Sequence, residues 1–328
     1  MKPDATHQPL GLILLESLLL MTFFVIRHQL APWTAESVGP SGAPLAELLT
    51  RFSRSAPGWS QTIAYAIALW SALATTRLAI RYTIVPTRNY LPTIIYLLTA
   101  CGLLFPEQSL VAFIGGWLLI LSTKHFIASF HKDYRFDNVF RGSFYLGLLP
   151  LLYAPALLLM LLAPGLWILY RRSPRECIIG LAGLLLPLFT AAYIYWAMGY
   201  PFSYPFWLLF TEAQGYDYMF WASFQPATLA TTALLSLAVV AAIGYILSLR
   251  HSYRTRLRKI MVHLLLLLFV LSLSAAAGGS SPLLFPLLAL PITLLTARAF
   301  TGRSIRTASV AYWMILAVIL ASNLSSLL

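Results

Sequence analysis

The sequence predicts an all-α membrane protein: a polytopic transmembrane helical bundle of about nine crossings, plus a re-entrant or short-helix hairpin at 142–170. Three observations carry this expectation. The 328 residues are 59% hydrophobic and include only ten acidic side chains, and the mean hydropathy is +0.79, which lies outside the range of an ordinary soluble domain. The run from Gly142 to Tyr170 holds no charge and is closed by Arg141 on one side and by Arg171 and Arg172 on the other. The basic residues are grouped between apolar runs, and in membrane proteins such groups mark the cytoplasmic loops.

The uncharged run decides the topology. As a single helix it would be roughly 43 Å long, well beyond the roughly 30 Å hydrocarbon core. Pro150, Pro155 and Pro164 stand inside it, and each removes a backbone donor from a continuous helix. A bent pair of short helices that enters and leaves on one side meets both constraints. With that hairpin and a cytoplasmic N-terminus, only Arg27, Arg51 and Arg54 of the 22 basic residues face outward. A single crossing would instead put most of them outside, against the usual bias.

The elements follow in order. The apolar stretch at 9–26 is too long for the core of a signal peptide, is interrupted by Glu16 and lacks a small-residue cleavage site, so it reads as a retained first span. Residues 27–60, rich in Pro, Ser, Gly and Ala, form the longest connection and an outer loop, a place where function concentrates. Apolar runs ended by charge, Gly or Pro then give spans near 60–80, 91–105 and 108–128, the hairpin, 177–198, a second outer loop at 199–225, and spans near 226–249, 261–277, 282–299 and 307–326. All are expected to be helical, because lipid offers no partner to an unpaired backbone group and no segment alternates like a barrel strand. The whole of 1–328 reads as one integral membrane domain.

The net charge of +12 would suggest nucleic acid in a soluble protein. Here the bases sit between apolar spans, where they anchor loops against anionic headgroups, so the partner is membrane lipid and not nucleic acid. Cys101 and Cys177 fall on opposite sides of the proposed membrane, which argues against a disulfide, and no metal-ligand spacing is present.

Candidate site residues come from the scarce carboxylates. Glu36 and Glu47 lie in the first outer loop, Glu212 and Asp217 in the second, and Glu107 in a tight turn on the same face. The aromatic density of 199–225 has an ordinary explanation, because Trp and Tyr collect at the membrane interface. Glu16 lies about two turns into the first span, where a carboxylate must be neutral, paired or next to a wet cavity. His263, one turn beyond Lys259 and just inside a span, reads as a structural hydrogen-bonding group.

Two resemblances accompany this reading. The stretches RNYLPTIIYLLTACGLLFPEQSL (88–110), FRGSFYLGLLPLLYAPALLLMLLAPGLWILYRRSPRECIIGLAGLLLP (140–187) and GGSSPLLFPLLALP (278–291) resemble an uncharacterised family of bacterial polytopic inner-membrane proteins. That resemblance implies the bacterial inner membrane and no particular activity. A basic residue, a Gly-rich apolar segment with a Tyr-Ala-Pro break, a Trp, an Arg pair and a further Gly-rich span ending near Trp196 are similar to the middle of the C-type membrane glycosyltransferases. These enzymes use a sugar carried on a polyprenyl phosphate, with an acidic residue of the first outer loop acting near the acceptor. The resemblance implies Glu47 or Glu36 as the base, where the superfamily usually carries Asp. Arg51 and Arg54 would then contact the lipid phosphate, and Glu212 or Asp217 the acceptor or a divalent metal; no other cofactor is evident.

Two other classes compete. A non-catalytic scaffold or subunit of an envelope complex would need none of these groups. A transporter of a lipid or small solute would need a midplane site, for which Glu16 and the Pro-interrupted spans are the pointers.

Overall fold

The computed structural model of the chain describes residues 17–18, 22, 43–85, 90–101, 109–130, 136–214, 226–249, 253–276 and 284–302. Among these the regular structure is helical, with no strand. The helices are α1 (Pro44–Ser55), α2 (Pro57–Arg81), α3 (Leu91–Cys101), α4 (Ser109–Ala128), α5 (Phe136–Leu152), a 3-10 helix (Ala154–Leu161), α6 (Leu162–Leu169), α7 (Pro174–Ala197), α8 (Tyr204–Gln214), α9 (Pro226–Ser248), α10 (Thr255–Ala276) and α11 (Leu284–Gly302). Five of them, α2, α4, α7, α10 and α11, are long and apolar enough to cross a membrane. The expected spans at 9–26 and 307–326 lie outside the described residues, apart from Ser17, Leu18 and Thr22, which are helical.

The two stretches expected as outer loops carry helices where they are described. In the first, Pro44 takes an opening position of α1, where its missing N–H is not needed, Glu47 sits in the first turn and Arg54 in the last. Ala56 breaks the helix for one residue and Pro57 starts α2. The Ser60 hydroxyl donates to Ser53 Oγ across this corner at 2.8 Å. In the second, α8 occupies Tyr204–Gln214.

The hairpin consists of α5, an extended break at Tyr153 (φ −149°, ψ 101°), the 3-10 helix and α6. Its two ends meet the same end of α4. Asn138 Oδ1 lies 3.1 Å from His125 Nδ1, and the Arg172 guanidinium donates to the Ser129 carbonyl and, at 3.0 Å, to Ser129 Oγ. The tip is held from the side by α10, whose Ser274 hydroxyl donates to the Pro155 carbonyl at 3.1 Å. Pro155 opens the 3-10 helix, a position that needs no donor. With about 2.0 Å of rise per 3-10 residue and 1.5 Å per α residue, the return arm is about 28 Å long. The first arm is about 25 Å.

The outgoing arm begins at Phe136 rather than at 142. Arg141, which closed the apolar run in the sequence, forms an i,i+4 ion pair of 2.7 Å with Asp137 near the start of α5. Close packing then joins α5 to α7. A Cβ on Gly147 would overlap the Leu184 carbonyl oxygen, and one on Gly183 would lie 2.6 Å from that of Phe140. Glycine at these two crossings lets the helix backbones touch.

The ends of α2, α4, α6 and α11 and the start of α10 gather the basic side chains. Arg256 lies over the Tyr82 ring at 5.4 Å, Lys259 over Phe130 at 4.9 Å and Arg298 over Tyr253 at 4.9 Å. Arg298 also donates to the Ile84 carbonyl at 3.2 Å. The Tyr170 hydroxyl and His263 Nδ1 are hydrogen-bonded at 2.9 Å in the interior, the structural role that the sequence suggested for this histidine. Both cysteines are free thiols.

Candidate functional site

The opposite end of the bundle holds α1, the last turn of α7 and α8. Leu45, Ala46 and Leu49 pack one face of α1 toward the core, which turns Glu47 and Arg51 to the other. Their side chains pair at 2.5 Å, with Arg51 70% and Glu47 43% exposed. This is a surface ion pair of the kind worth about 0–1 kcal/mol. Both charges are within electrostatic reach of the Tyr195 hydroxyl on the last turn of α7.

Tyr195 belongs to a cluster built by the α7 to α8 turn. Gly199 has φ +93°, a left-handed conformation natural to glycine at a helix C-terminus. Its N–H donates to the Trp196 carbonyl and that of Tyr200 to the Tyr195 carbonyl, both at 3.0 Å. The turn folds Tyr200 and Tyr204 back onto Tyr195, with ring centroids 5.8 and 5.4 Å from it and 5.0 Å from each other. Phe189 contacts Phe202 at 6.4 Å and Phe206 at 6.2 Å alongside. A shallow open cavity of about 570 Å³, lined by Pro201, Ser203, Tyr204, Phe206, Trp207 and Phe210, adjoins the cluster.

This end therefore brings together a carboxylate, a guanidinium, three phenols and an apolar aromatic shelf. The carboxylate can accept a proton from a hydroxyl. The guanidinium can hold a phosphate through paired N–H donors. Arg54 follows Arg51 by three residues and is exposed. Glu212 lies on α8 eight residues after Tyr204, about 12 Å along the axis, and is half-buried. Glu36, Asp217 and Glu16 lie outside the described residues, as does Glu107. No group of three or more His, Cys, Asp or Glu side chains suited to a metal occurs among the described residues.

The sequence reading took Tyr200 and Tyr204 as part of an interfacial belt and passed over Tyr195, which lies in the span before it. The available signal was Gly199 followed by Tyr-Pro, a turn that folds the flanking rings together. It also passed over Arg172 and Glu176, which pair at 3.2 Å while only 8% and 7% exposed. Here Ser-Pro-Arg-Glu (173–176) is a legible capping box. The Ser173 N–H donates to Glu176 Oε2 at 3.1 Å and the Glu176 N–H to Ser173 Oγ at 3.4 Å.

No protein family, curated protein or solved structure matches the chain.

Proposed function

We propose that the chain is an integral membrane protein acting as a C-type-like glycosyltransferase on a sugar carried by a polyprenyl phosphate, at the end of the bundle that holds α1, the last turn of α7 and α8. The observation that carries this reading is the Glu47–Arg51 ion pair on α1, whose two charges both reach the Tyr195 hydroxyl at the same end of the bundle. A proton acceptor, a phosphate-binding cation and aromatic faces share one end of the bundle.

In the proposed reaction Glu47 accepts the proton of the acceptor hydroxyl as its oxygen bonds to the anomeric carbon. The bond from that carbon to the phosphate oxygen breaks, and the electron pair leaves with the polyprenyl phosphate. Arg51 and Arg54 offset the charge that grows on the departing group. Glu47 and Arg51 pair at rest, so binding of the phosphate would draw Arg51 away and free the carboxylate. Glu36 is the alternative base, and Glu212 or Asp217 would bind the acceptor. The bacterial inner membrane, with the N-terminus in the cytoplasm, is supported by the asymmetry of the basic residues.

The test replaces Glu47 by Gln and Arg51 by Gln in cells that carry the protein, and measures polyprenyl-phosphate sugars by mass spectrometry. The donor should accumulate several-fold in both variants at unchanged protein level. A donor pool and glycan profile equal to wild type in both, and in Glu36→Gln, would remove the catalytic reading.

A non-catalytic membrane subunit is the second reading. It is favoured by the wide apolar face of α7, where Ile178, Phe189, Tyr193 and Trp196 are all exposed. Retained cellular function in all three carboxamide variants would favour it.

A further inference from the structure

A second feature lies toward the basic end, on the flank where α2 and α4 run side by side. On α2, Trp70, Arg77 and Arg81 recur at helical spacing on one face; on α4, Trp117 and Lys124 do the same. These faces enclose a cavity of about 290 Å³. Trp70 and Trp117 form its inner part, edge to face with centroids 6.2 Å apart, and Trp70 is 58% exposed. Arg77, Arg81 and Lys124 are exposed at its mouth, with the Arg81 guanidinium 5.8 Å from the centroid of the Tyr82 ring. Seven residues separate Trp70 from Arg77 and Trp117 from Lys124, so on both walls the cation stands about 10 Å beyond the indole along the helix axis.

The charge of this groove is one-sided. Among the described residues no Asp or Glu lines it and none of its three cations takes part in an ion pair, whereas Arg51, Arg141 and Arg172 each have a carboxylate partner. Like charges around one groove raise one another's energy unless an anion joins them. The inner part, in contrast, is apolar and lies within a helix long and apolar enough to cross a membrane. An occupant must therefore carry negative charge at one end and hydrocarbon about 10 Å further in.

We propose that this groove binds an anionic phospholipid, with the phosphodiester held by Arg77, Arg81 and Lys124 and the acyl chains lying over Trp70 and Trp117. A free phosphate would satisfy the cations and leave the aromatic floor uncovered. The site is separate from Glu47 and Arg51, at the other end of the bundle, and stands independently of any catalysis there.

The test uses the full chain in nanodiscs of phosphatidylcholine with increasing phosphatidylglycerol. Quenching of tryptophan fluorescence by brominated phosphatidylglycerol is compared with that by brominated phosphatidylcholine. With each direct charge-assisted hydrogen bond to the phosphodiester contributing about tenfold, the Arg77→Gln/Arg81→Gln/Lys124→Gln variant should lose preference for the anionic lipid on the order of a hundredfold or more. A control of equal charge, Arg175→Gln/Arg254→Gln/Arg258→Gln, removes exposed bases from the same end outside the groove and should change it little. Lys124→Gln alone should lose about tenfold and Lys124→Arg should restore it, which covers a triple variant that does not fold. Equal losses in both triple variants would show diffuse surface attraction and overturn the proposal. So would displacement of the brominated lipid by glycerol 3-phosphate, which would assign the groove to a soluble phosphate.

Discussion

Tyr170, just after α6, and His263, on α10, lie far apart in sequence and share a hydrogen bond of 2.9 Å inside the bundle. The His263 side chain is fully buried, and its Nε2 finds no partner among the described residues. Phe126 packs edge-on against the imidazole with centroids 6.4 Å apart. Together with the Ser274 to Pro155 hydrogen bond at the tip, this contact fixes the returning arm of the hairpin to α10.

Tyr170→Phe should therefore lower stability by about 1–3 kcal/mol, because it leaves a buried imidazole nitrogen without its partner. Removing both groups in Tyr170→Phe/His263→Leu should cost less than the sum of the single changes. The double-mutant cycle, followed by thermal unfolding in detergent, should show a coupling of about 0.5–3 kcal/mol. Strict additivity would mean that the bond contributes nothing.

Two ion pairs share one spacing and differ in burial. Arg172 and Glu176 are almost fully enclosed, whereas Arg51 and Glu47 face solvent. Glu176→Ala should cost about 3–5 kcal/mol, since Arg172 would keep its charge in a buried setting. Glu47→Ala should cost no more than about 1 kcal/mol. Unfolding midpoints of the two variants compare them directly, and a similar loss in both would contradict the difference in enclosure.

Glycines offer a contrast within one bundle. Gly147→Ala places a methyl group on the Leu184 carbonyl oxygen, and the resulting separation of α5 and α7 should cost about 1–3 kcal/mol or more. Gly244, within α9, has nothing within 4 Å of an added Cβ. Gly244→Ala should be neutral or stabilising by up to about 1 kcal/mol through helix propensity. Folded yield and thermal midpoint should rank Gly147→Ala below wild type and Gly244→Ala level with it or above.

The arrangement of the two ends can be read by thiol labelling. With Cys101 and Cys177 replaced by Ser, single cysteines at Ser55 and Ser203 should react with an impermeant maleimide in intact cells. A cysteine at Thr255 should react only after permeabilisation. If Ser55→Cys and Ser203→Cys label from opposite faces, the α1 and α8 ends do not share a compartment and the proposed transferase site is lost.

The helical class and the five spans formed by α2, α4, α7, α10 and α11 were legible because long apolar runs between charges admit few other structures. The boundaries were less so. Charge ended the predicted hairpin at 142, yet Asp137 and Arg141 stabilise one another on a helical turn, and apolar periodicity carries no information about such a pair. Composition made 27–60 a loop, although Pro44 followed by Leu45, Leu48 and Leu49 is a legible helix start. The site was visible only in part. Glu47 and Arg51 were named from the scarcity of outer charge. Their approach to Tyr195 depends on how α1 seats against α5, which no local pattern encodes.

In the 3-10 stretch of the hairpin, residues three apart stand in one file, and Ala156, Leu159 and then Leu162 form the file that faces inward. Dropping or adding a single residue there would turn that file by a third of a revolution and present Met160 or Leu161 to the interior instead. The segment should accept exchanges among aliphatic side chains while rejecting any change in its length.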